Sequence, residues 1–290
     1  MKRSGGAQLL RRGLRLGVFL AVCLLFLAGC ALLHCGLLFA DAGTRGRWLA
    51  RLTQAWARAL LWSFGLQVTC QPSRATSRTA LFVSNHQSYL DILVIAAHCP
   101  TLFVAKSEVS RWPLLGWLAA LGGTIFIERA NTHSNVRGAY RVSRALRQGV
   151  NVLVFPEGTT SDGTRVLPFQ PFFFVAAVRA AAAVQPLTIK YTAVNDAPLD
   201  DETRDWLCWH GAMDFVRHFW RLLSLRSAAA QLRLHEPLTA QQTTRALAQA
   251  AQAVITNGFA ETAPLITARR NLTWLAAMKT NALTALKKSH

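Results

Sequence analysis

Two residues that could do chemistry together stand just after an apolar stretch near position 80. The run LFVSN at 81–85 ends at Asn85, His86 follows at once, and Asp91 comes after four further residues. A neutral imidazole can remove a proton from a hydroxyl, and a carboxylate can fix the tautomer of that imidazole and stabilise its protonated form. The spacing therefore predicts general-base catalysis, with His86 as the base and Asp91 as its partner.

A structural interpretation competes with this one. Ser88 and Asp91 also fit a capping box, in which an N-cap hydroxyl and an acid three residues later satisfy the free N–H groups of a helix start. His86 alone could equally make a local hydrogen bond after a strand. Only the joint pattern, an Asn-His pair and an Asp set between a strand and a helix, favours catalysis.

Two further polar clusters follow other apolar runs. The segment FPEGTTS at 155–161 offers a tight turn at Gly158 and several hydroxyls, which could hold an anion or position a carbonyl oxygen. The segment GTIFIER at 123–129 ends in Arg129, whose planar guanidinium can contact a phosphate through two parallel bonds. Taken alone, the first could be a surface turn and the second an exposed arginine.

Taken in order, these clusters resemble the motifs of the glycerolipid acyltransferase family, above all the lysophosphatidic acid (1-acylglycerol-3-phosphate) acyltransferases. The similarity covers roughly residues 48–235, and the short proline-containing run at 184–187 resembles a fourth family motif. The resemblance implies an α/β fold with a mixed sheet flanked by helices. It also implies transfer of a fatty acyl chain from a thioester, carried by acyl carrier protein or coenzyme A, to the hydroxyl of a lysolipid.

The same resemblance implies which residues touch the acceptor headgroup. By their positions in the family motifs these are Arg129, Glu157, Gly158 and Thr159. The acceptor expected first is 1-acyl-sn-glycerol-3-phosphate, which would give phosphatidic acid.

One departure from the family pattern concerns the headgroup. Where the family often carries Phe-Lys-x-Gly, this chain has Phe-Gln-Pro-Phe at 169–172, without a basic side chain. Lys106 or Arg165 could supply the missing charge. Alternatively, the acceptor could be a less phosphorylated lipid such as lyso-ornithine lipid.

The elements that must position these residues alternate between short β-rich runs and helical stretches, which predicts an α/β sheet. Strands are expected at 79–85, 101–106, 124–128, 151–156 and 184–190, with helices at 88–97, 113–121, 132–148 and 241–256. The catalytic domain is expected to span 66–260, after an anchor at 1–65. A basic amphipathic tail should follow at 261–290.

The anchor centres on residues 16–40, which contain no Asp, Glu, Lys or Arg. As a helix these 25 residues would extend about 37 Å, more than the roughly 30 Å of a bilayer core. Basic residues flank the segment on both sides, so the positive-inside rule gives only a weak orientation. The segment could span the bilayer, or it could form a re-entrant hairpin with an amphipathic helix at 48–64.

A lipoprotein signal is the alternative for the same segment. Leu27 to Cys30 after a basic start resembles a bacterial cleavage site, which would leave Cys30 lipidated outside the cytoplasm. The apolar run continues ten residues past Cys30, whereas a cleaved signal normally gives way to polar sequence. We therefore expect a bacterial inner-membrane protein with its catalytic domain facing the cytoplasm.

The composition sets limits on partners. Hydrophobic residues make up 52% of the chain and the net charge is +18, which argues against disorder and for anionic partners. Beside an apolar anchor, and without a nucleic-acid-binding signature, this charge favours anionic lipid headgroups over nucleic acid. The six cysteines form no paired framework, so reduced thiols are expected. We expect no metal and no cofactor beyond the thioester co-substrate.

Two other functional classes fit parts of the sequence. A hydrolase could use the same histidine to activate water, but the chain lacks a Gly-x-Ser-x-Gly elbow. A noncatalytic membrane-binding protein would explain the charge, but it would not explain the polar clusters at the ends of successive strands.

Overall fold

A computed structural model of the chain describes residues 3–73, 79–128, 132–239 and 243–261. Strands and helices alternate through this part of the chain. The strands are β1 (Leu66–Gln71), β2 (Ala80–Ser84), β3 (Leu102–Lys106), β4 (Ile125–Ile127), β5 (Val152–Val154), β6 (Ala183–Val194), β7 (Ala197–Pro198) and β8 (Ala228–Leu234). The helices are α1 (Arg3–Gly36), α2 (Ala42–Phe64), α3 (Leu90–His98), α4 (Leu115–Leu121), α5 (Thr132–Arg147), α6 (Val175–Ala180), α7 (Phe215–Leu222) and α8 (Thr244–Glu261).

The strands form one mixed sheet in the order β1-β8-β6-β2-β5-β3-β4, with β7 paired to β6. Neighbouring strands from β6 through β4 are parallel, whereas β6 and β8 are antiparallel. The predicted α/β fold with a mixed sheet is confirmed. The ends of β2, β5, β3 and β4 therefore share one side of the sheet, here called the carboxyl edge, where open α/β sheets hold their ligands.

Helices cover both faces of the sheet. Successive residues of a strand point to opposite faces, so Leu81 and Val83 pack into a core with α5, α6 and α8. Ala80 and Phe82 pack on the other side, into a core with α2 and α3. The strands at the centre are thus buried on both faces, as expected for parallel pairing.

The N-terminal segment is a helical hairpin. The apolar helix begins earlier and ends earlier than the predicted 16–40, because α1 runs from Arg3 to Gly36. The second helix begins at Ala42 rather than 48, where the Asp41 side chain accepts a hydrogen bond from the Thr44 amide. The two helices are antiparallel, since Gly29 of α1 faces Leu52 of α2.

By length and apolar composition, residues Gly6–Gly36 of α1 could cross a membrane. One face of this helix is nevertheless packed on the domain, where Cys23, Phe26 and Cys30 are buried in a core shared with α2 and α4. The expected tail lies outside the described residues from position 262 onward.

Candidate active site

His86 and Asp91 meet at the carboxyl edge, where β2 ends and α3 begins. The Nδ1 atom of His86 lies 2.8 Å from Oδ2 of Asp91. Asp91 is fully buried, whereas 17% of the His86 side chain is exposed. Because a carboxylate can only accept, Nδ1 carries the proton and Nε2 is left as an acceptor. An imidazole in this state is ready to receive a proton from a bound hydroxyl.

Asp91 is held through both of its oxygens. Oδ2 also accepts from the backbone N–H groups of Gln87 and Ser88, at 2.6 and 2.9 Å. Oδ1 accepts from the hydroxyl of Tyr191 at 2.6 Å. Asp91 thus satisfies two backbone N–H groups in the turn just before α3 and orients the histidine at the same time, so its structural and catalytic roles are served by one arrangement.

Tyr191 was not predicted as a site residue, since it lies one position beyond the expected strand 184–190. Its phenol is buried in the core of the sheet. Burial, together with the Asp91 carboxylate beside it, raises the pKa of Tyr191 well above its usual value. The hydroxyl therefore keeps its proton and donates to Asp91.

The segment after β5 contacts the ring, the backbone N–H and the backbone carbonyl of His86. The ring of Phe155 stacks on the imidazole with centroids 3.8 Å apart and planes 9° from parallel. The Oε1 atom of Glu157 accepts from the His86 backbone N–H at 3.1 Å. Ser161 donates to the His86 carbonyl oxygen through its backbone N–H at 2.8 Å and its hydroxyl at 3.1 Å. The Phe-Pro-Glu-Gly-Thr cluster thus fixes the position of the base.

These contacts with His86 depend on a turn that only glycine adopts easily. Gly158 has φ = 77°, in the left-handed region, and its amide donates to the Phe155 carbonyl at 3.1 Å. The predicted tight turn at Gly158 is present. A side chain here would cost on the order of 1–2 kcal/mol in backbone strain.

Glu157 is an unusual buried acid. Its side chain is 4% exposed, and its second oxygen, Oε2, makes no hydrogen bond of normal geometry with the described residues, although the backbone N–H of Leu167 lies near enough to the carboxyl group to lower its pKa. Burial raises the pKa of Glu157 to about 8, against the opposing effect of the bond from the His86 amide. At neutral pH this carboxyl holds a proton, so Oε2 can itself donate.

Asn85, the residue before the base, locks β2 to its neighbour β6. Its side-chain amide donates to the Ile189 carbonyl and its oxygen accepts from the Ile189 amide, both at 2.9 Å. The side-chain amide of Gln87 donates to the same Ile189 carbonyl at 2.7 Å. The two residues that flank His86 are therefore anchored, which leaves the imidazole little freedom.

The other predicted binding residues lie at or beyond the same edge. Lys106 is exposed at the end of β3, Thr159 is exposed in the turn after Glu157, and Arg165 is exposed further along that loop. Arg129 lies outside the described residues, two positions after the last residue of β4. The strand order thus places Lys106 on the predicted edge, while the contacts of these residues with an acceptor stay predictions.

Aromatic side chains form one wall beside the site, which sequence reasoning missed. Tyr89, next to the catalytic pair in sequence, packs edge-on against Trp209 and Phe215, and Trp112 packs against both. The Tyr89 hydroxyl lies 2.9 Å from Nδ1 of His218. The available signal was a set of tryptophans in loops that also leave the carboxyl edge.

The described residues contain no nucleophile paired with the base. Neither serine, threonine nor cysteine in this part of the chain hydrogen-bonds to the His86 ring, whose described polar partner is Asp91. Likewise, no three His, Cys, Asp or Glu side chains of the described residues gather as metal ligands. The geometry supports a base that acts directly on a substrate hydroxyl.

Comparison with known proteins places this geometry in a family. The sequence model of the family described as Acyltransferase matches residues 66–190. A lyso-ornithine lipid O-acyltransferase of Brucella abortus (strain 2308) is 35% identical over 70% of this chain and 79% of its own length. A 1-acyl-sn-glycerol-3-phosphate acyltransferase of Neisseria gonorrhoeae is 38% identical over 44% of this chain and 49% of its own.

A solved structure has the same fold. The crystal structure of the 1-acyl-sn-glycerophosphate (LPA) acyltransferase PlsC from Thermotoga maritima covers 88% of this chain and 97% of its own, with a TM-score of 0.63 at 21% identity. The expected resemblance is confirmed. By the extent of its sequence similarity, this chain belongs to the acyltransferase family.

Proposed function

We propose that this enzyme transfers a fatty acyl chain from a thioester to the free hydroxyl of a membrane lysolipid, with His86 as general base. The observation that carries the proposal is the His86–Asp91 pair, whose second imidazole nitrogen is left for a substrate. General-base catalysis of this kind contributes about 10² to 10⁴ in rate. The remaining acceleration comes from holding donor and acceptor together.

The proposed reaction proceeds through one tetrahedral intermediate. The acceptor oxygen attacks the thioester carbonyl carbon while Nε2 of His86 takes the hydroxyl proton. Asp91 stabilises the imidazolium that results. The carbon–sulfur bond then breaks, the thiolate leaves with the proton from His86, and the products are an ester and a free thiol. The donor is acyl carrier protein or coenzyme A, and no metal or further cofactor takes part.

We assign Arg129, Glu157, Gly158 and Thr159 to acceptor binding, with Lys106 or Arg165 adding positive charge. Glu157 is suited to this because its pKa of about 8 lets the buried acid donate from Oε2 to an acceptor oxygen. The expected acceptor is 1-acyl-sn-glycerol-3-phosphate.

Lyso-ornithine lipid is the second candidate acceptor. Two observations favour it: the relatives that act on it align with up to 76% of this chain, and the 169–172 segment lacks a basic residue. A lysolipid mixture offered to the purified enzyme with one labelled thioester decides the choice, since the product formed fastest identifies the headgroup.

We further propose that α1 lies in one leaflet rather than across the bilayer. Arg11 donates to the Ser224 carbonyl at 3.0 Å and Arg15 to the Leu225 carbonyl at 2.5 Å, so the helix is tied to the domain at this end. From Arg11 to Cys30 the attached length is about 28 Å at 1.5 Å per residue, close to a full hydrocarbon core. A helix attached over that length cannot cross a bilayer unless the domain enters it too.

The outward face of α1 fits this placement, because its large exposed side chains are leucines, including Leu14, Leu24 and Leu25. Burying such a face among acyl chains is favourable, and the positive surface adds attraction to anionic headgroups. Retention of α1 is also favoured over cleavage before Cys30, since cleavage would remove the buried Cys23 and Phe26 from the core. We also propose that the catalytic domain faces the cytoplasm, where acyl thioesters are made.

Replacement of His86 by Gln tests the catalytic proposal. The variant should fold, bind lipid and lose at least about 10²-fold of its acyl transfer rate. His210→Gln is the matched control, because His210 forms a second pair with Asp205 at 3.2 Å, and both side chains of that pair are partly exposed. Full activity in folded His86→Gln enzyme, or its loss only in His210→Gln enzyme, would reject His86 as the base.

A further inference from the structure

A row of arginines covers the outer face of α5. Arg137, Arg141, Arg144 and Arg147 are all exposed, and their spacing of three and four residues puts them on neighbouring turns. Arg179 of α6 extends the row, since Arg147 donates to its carbonyl oxygen at 3.0 Å. We call these five residues the arginine row.

The row has no acidic counterpart near it in sequence. No Asp or Glu occurs between Glu128 and Glu157, and no described acid forms an ion pair with a member of the row. An ordinary solvated helix face mixes both signs, because like charges three or four residues apart destabilise a helix by a few tenths of a kcal/mol per pair. On this face, the repulsion between neighbouring arginines is not offset by an ion pair with any described acidic side chain.

The row also lies on the side of the sheet away from α1. Val142 and Leu146 anchor α5 in the core that it shares with α6 and α8, whereas α1 packs over α2 on the other side. Ala145, on the inner side of α5, also contacts the core formed by α1 and α2. Most large apolar side chains exposed on the described chain belong to α1, α2, α4 and α7, whereas α5 exposes two, Val136 and Tyr140. With that apolar side on the bilayer, the arginine row faces water and is open to a soluble partner.

The row begins close to the carboxyl edge. Gly138 lies directly on β4, since a Cβ added there would be 2.3 Å from Cγ2 of Ile127. Arg137 is its neighbour, and Arg144 follows about 10 Å along the helix at 1.5 Å per residue. Three strand steps of about 4.8 Å separate β4 from β2, so the row starts roughly 14 Å across the sheet from the strand that carries His86.

We propose that the arginine row docks an acidic acyl carrier protein, which then delivers its thioester to His86 on a flexible pantetheine arm. This inference rests on the proposed function and identifies its donor. Charge complementarity of this kind speeds association and depends strongly on ionic strength. It leaves the acyl transfer step itself unchanged, because the row lies outside the reacting groups.

The test reverses charge at two positions, Arg141→Glu with Arg144→Glu. A second double variant, Arg217→Glu with Arg221→Glu, makes the same charge change on exposed residues of α7. The probes are an acyl carrier protein bearing one acyl chain, the same chain on free pantetheine, and vesicles of anionic phospholipid. Binding of the unacylated carrier protein is measured separately by fluorescence anisotropy, so docking is tested even without turnover.

In the α5 variant we expect the KM for the carrier-protein donor to rise more than tenfold at low salt, with kcat unchanged. The difference should shrink as salt is added, and turnover of acyl-pantetheine should match that of the unaltered enzyme. The α7 variant should keep its KM for the carrier protein. Unaltered carrier binding in the α5 variant would overturn the proposal, as would an equal loss with both donors.

Loss of vesicle binding without loss of carrier binding would identify the row as a lipid contact and also overturn the proposal. Failure of the proposed function gives a different result. In that case the unaltered enzyme would transfer no acyl chain from either donor to any lysolipid, whatever the anisotropy shows.

Discussion

Replacing Asp91 with Asn should remove the negative charge of the pair while leaving the tautomer of His86 in place. The Oδ2 position accepts two backbone N–H groups as well as the imidazole, so it can hold only the oxygen of an amide. The new amide nitrogen must then occupy the Oδ1 position, facing the hydroxyl of Tyr191. His86 keeps its acceptor, and only the charge disappears.

The size of the effect follows from the geometry. An imidazolium and a carboxylate at about 4 Å interact by roughly 4 kcal/mol at an effective dielectric constant of 20. At about 1.4 kcal/mol per factor of ten, losing this stabilisation lowers kcat about a thousandfold. The Tyr191 hydroxyl also loses its acceptor, which should lower the free energy of unfolding by about 1–3 kcal/mol.

Single-turnover acyl transfer and urea unfolding measure these two quantities separately. Asp205→Asn is the matched control, because it neutralises the partly exposed partner of His210 and should change neither quantity by more than a small factor. If folded Asp91→Asn enzyme kept more than about a tenth of its kcat, Asp91 would not stabilise a charged His86, and its role as the electrostatic partner of the base would have to be abandoned.

Three further predictions concern the residues around the pair. Tyr191→Phe removes the donor to Asp91 and should cost about 1.5–3 kcal/mol in urea unfolding, the value of a hydrogen bond to a charged group. Glu157, with a pKa of about 8, binds a proton on folding, so stability should fall as the pH rises from about 4.5 to 8. Glu157→Gln should flatten that slope, at most on the order of 5 kcal/mol, and an unchanged slope would contradict the raised pKa. Phe155→Leu removes the ring stacked on His86, worth about 0.5–1.5 kcal/mol, and should lower kcat up to about tenfold at unchanged KM for the thioester.

The sheet and the catalytic pair could be predicted because their sequence signals are local. The strand before His86 is an apolar run buried on both faces, and the strands of the parallel part were predicted within a few residues of their observed ends. The spacing from His86 to Asp91 then follows from a strand end and the first turn of a helix.

Strands β1 and β8 were not predicted, because their residue types and spacing are weak signals for a strand. β1 is an edge strand that alternates buried and more exposed residues and includes two glutamines, and β8 begins with three alanines, which favour helix. Both gain their stability from pairing with a distant segment. A local pattern does not contain that information.

The contacts around the base could not be predicted for the same reason. Tyr191 reaches Asp91 from a strand a hundred residues later, and Phe155 stacks on His86 from the end of β5. The Phe-Pro-Glu-Gly-Thr cluster suggested a role in binding the acceptor. The structure adds a second role, because Phe155 and Glu157 of the cluster, together with Ser161 just after it, hold His86 in place.

Under the proposed function, a lipid acceptor and a soluble donor must meet at one imidazole, and the layered fold allows this. Arg15 ties the first half of α1 to Leu225, just before the start of β8, and β8 begins beside the end of β6. Because β6 runs parallel to β2, this places the apolar helix at the same edge as His86. The arginine row approaches that edge from the opposite face of the sheet. A lipid acceptor held on the α1 side and a soluble donor held on the α5 side would therefore both reach the end of β2 without crossing the sheet. For this reason, charge reversal on α5 should raise the KM for the donor and leave the KM for the acceptor unchanged.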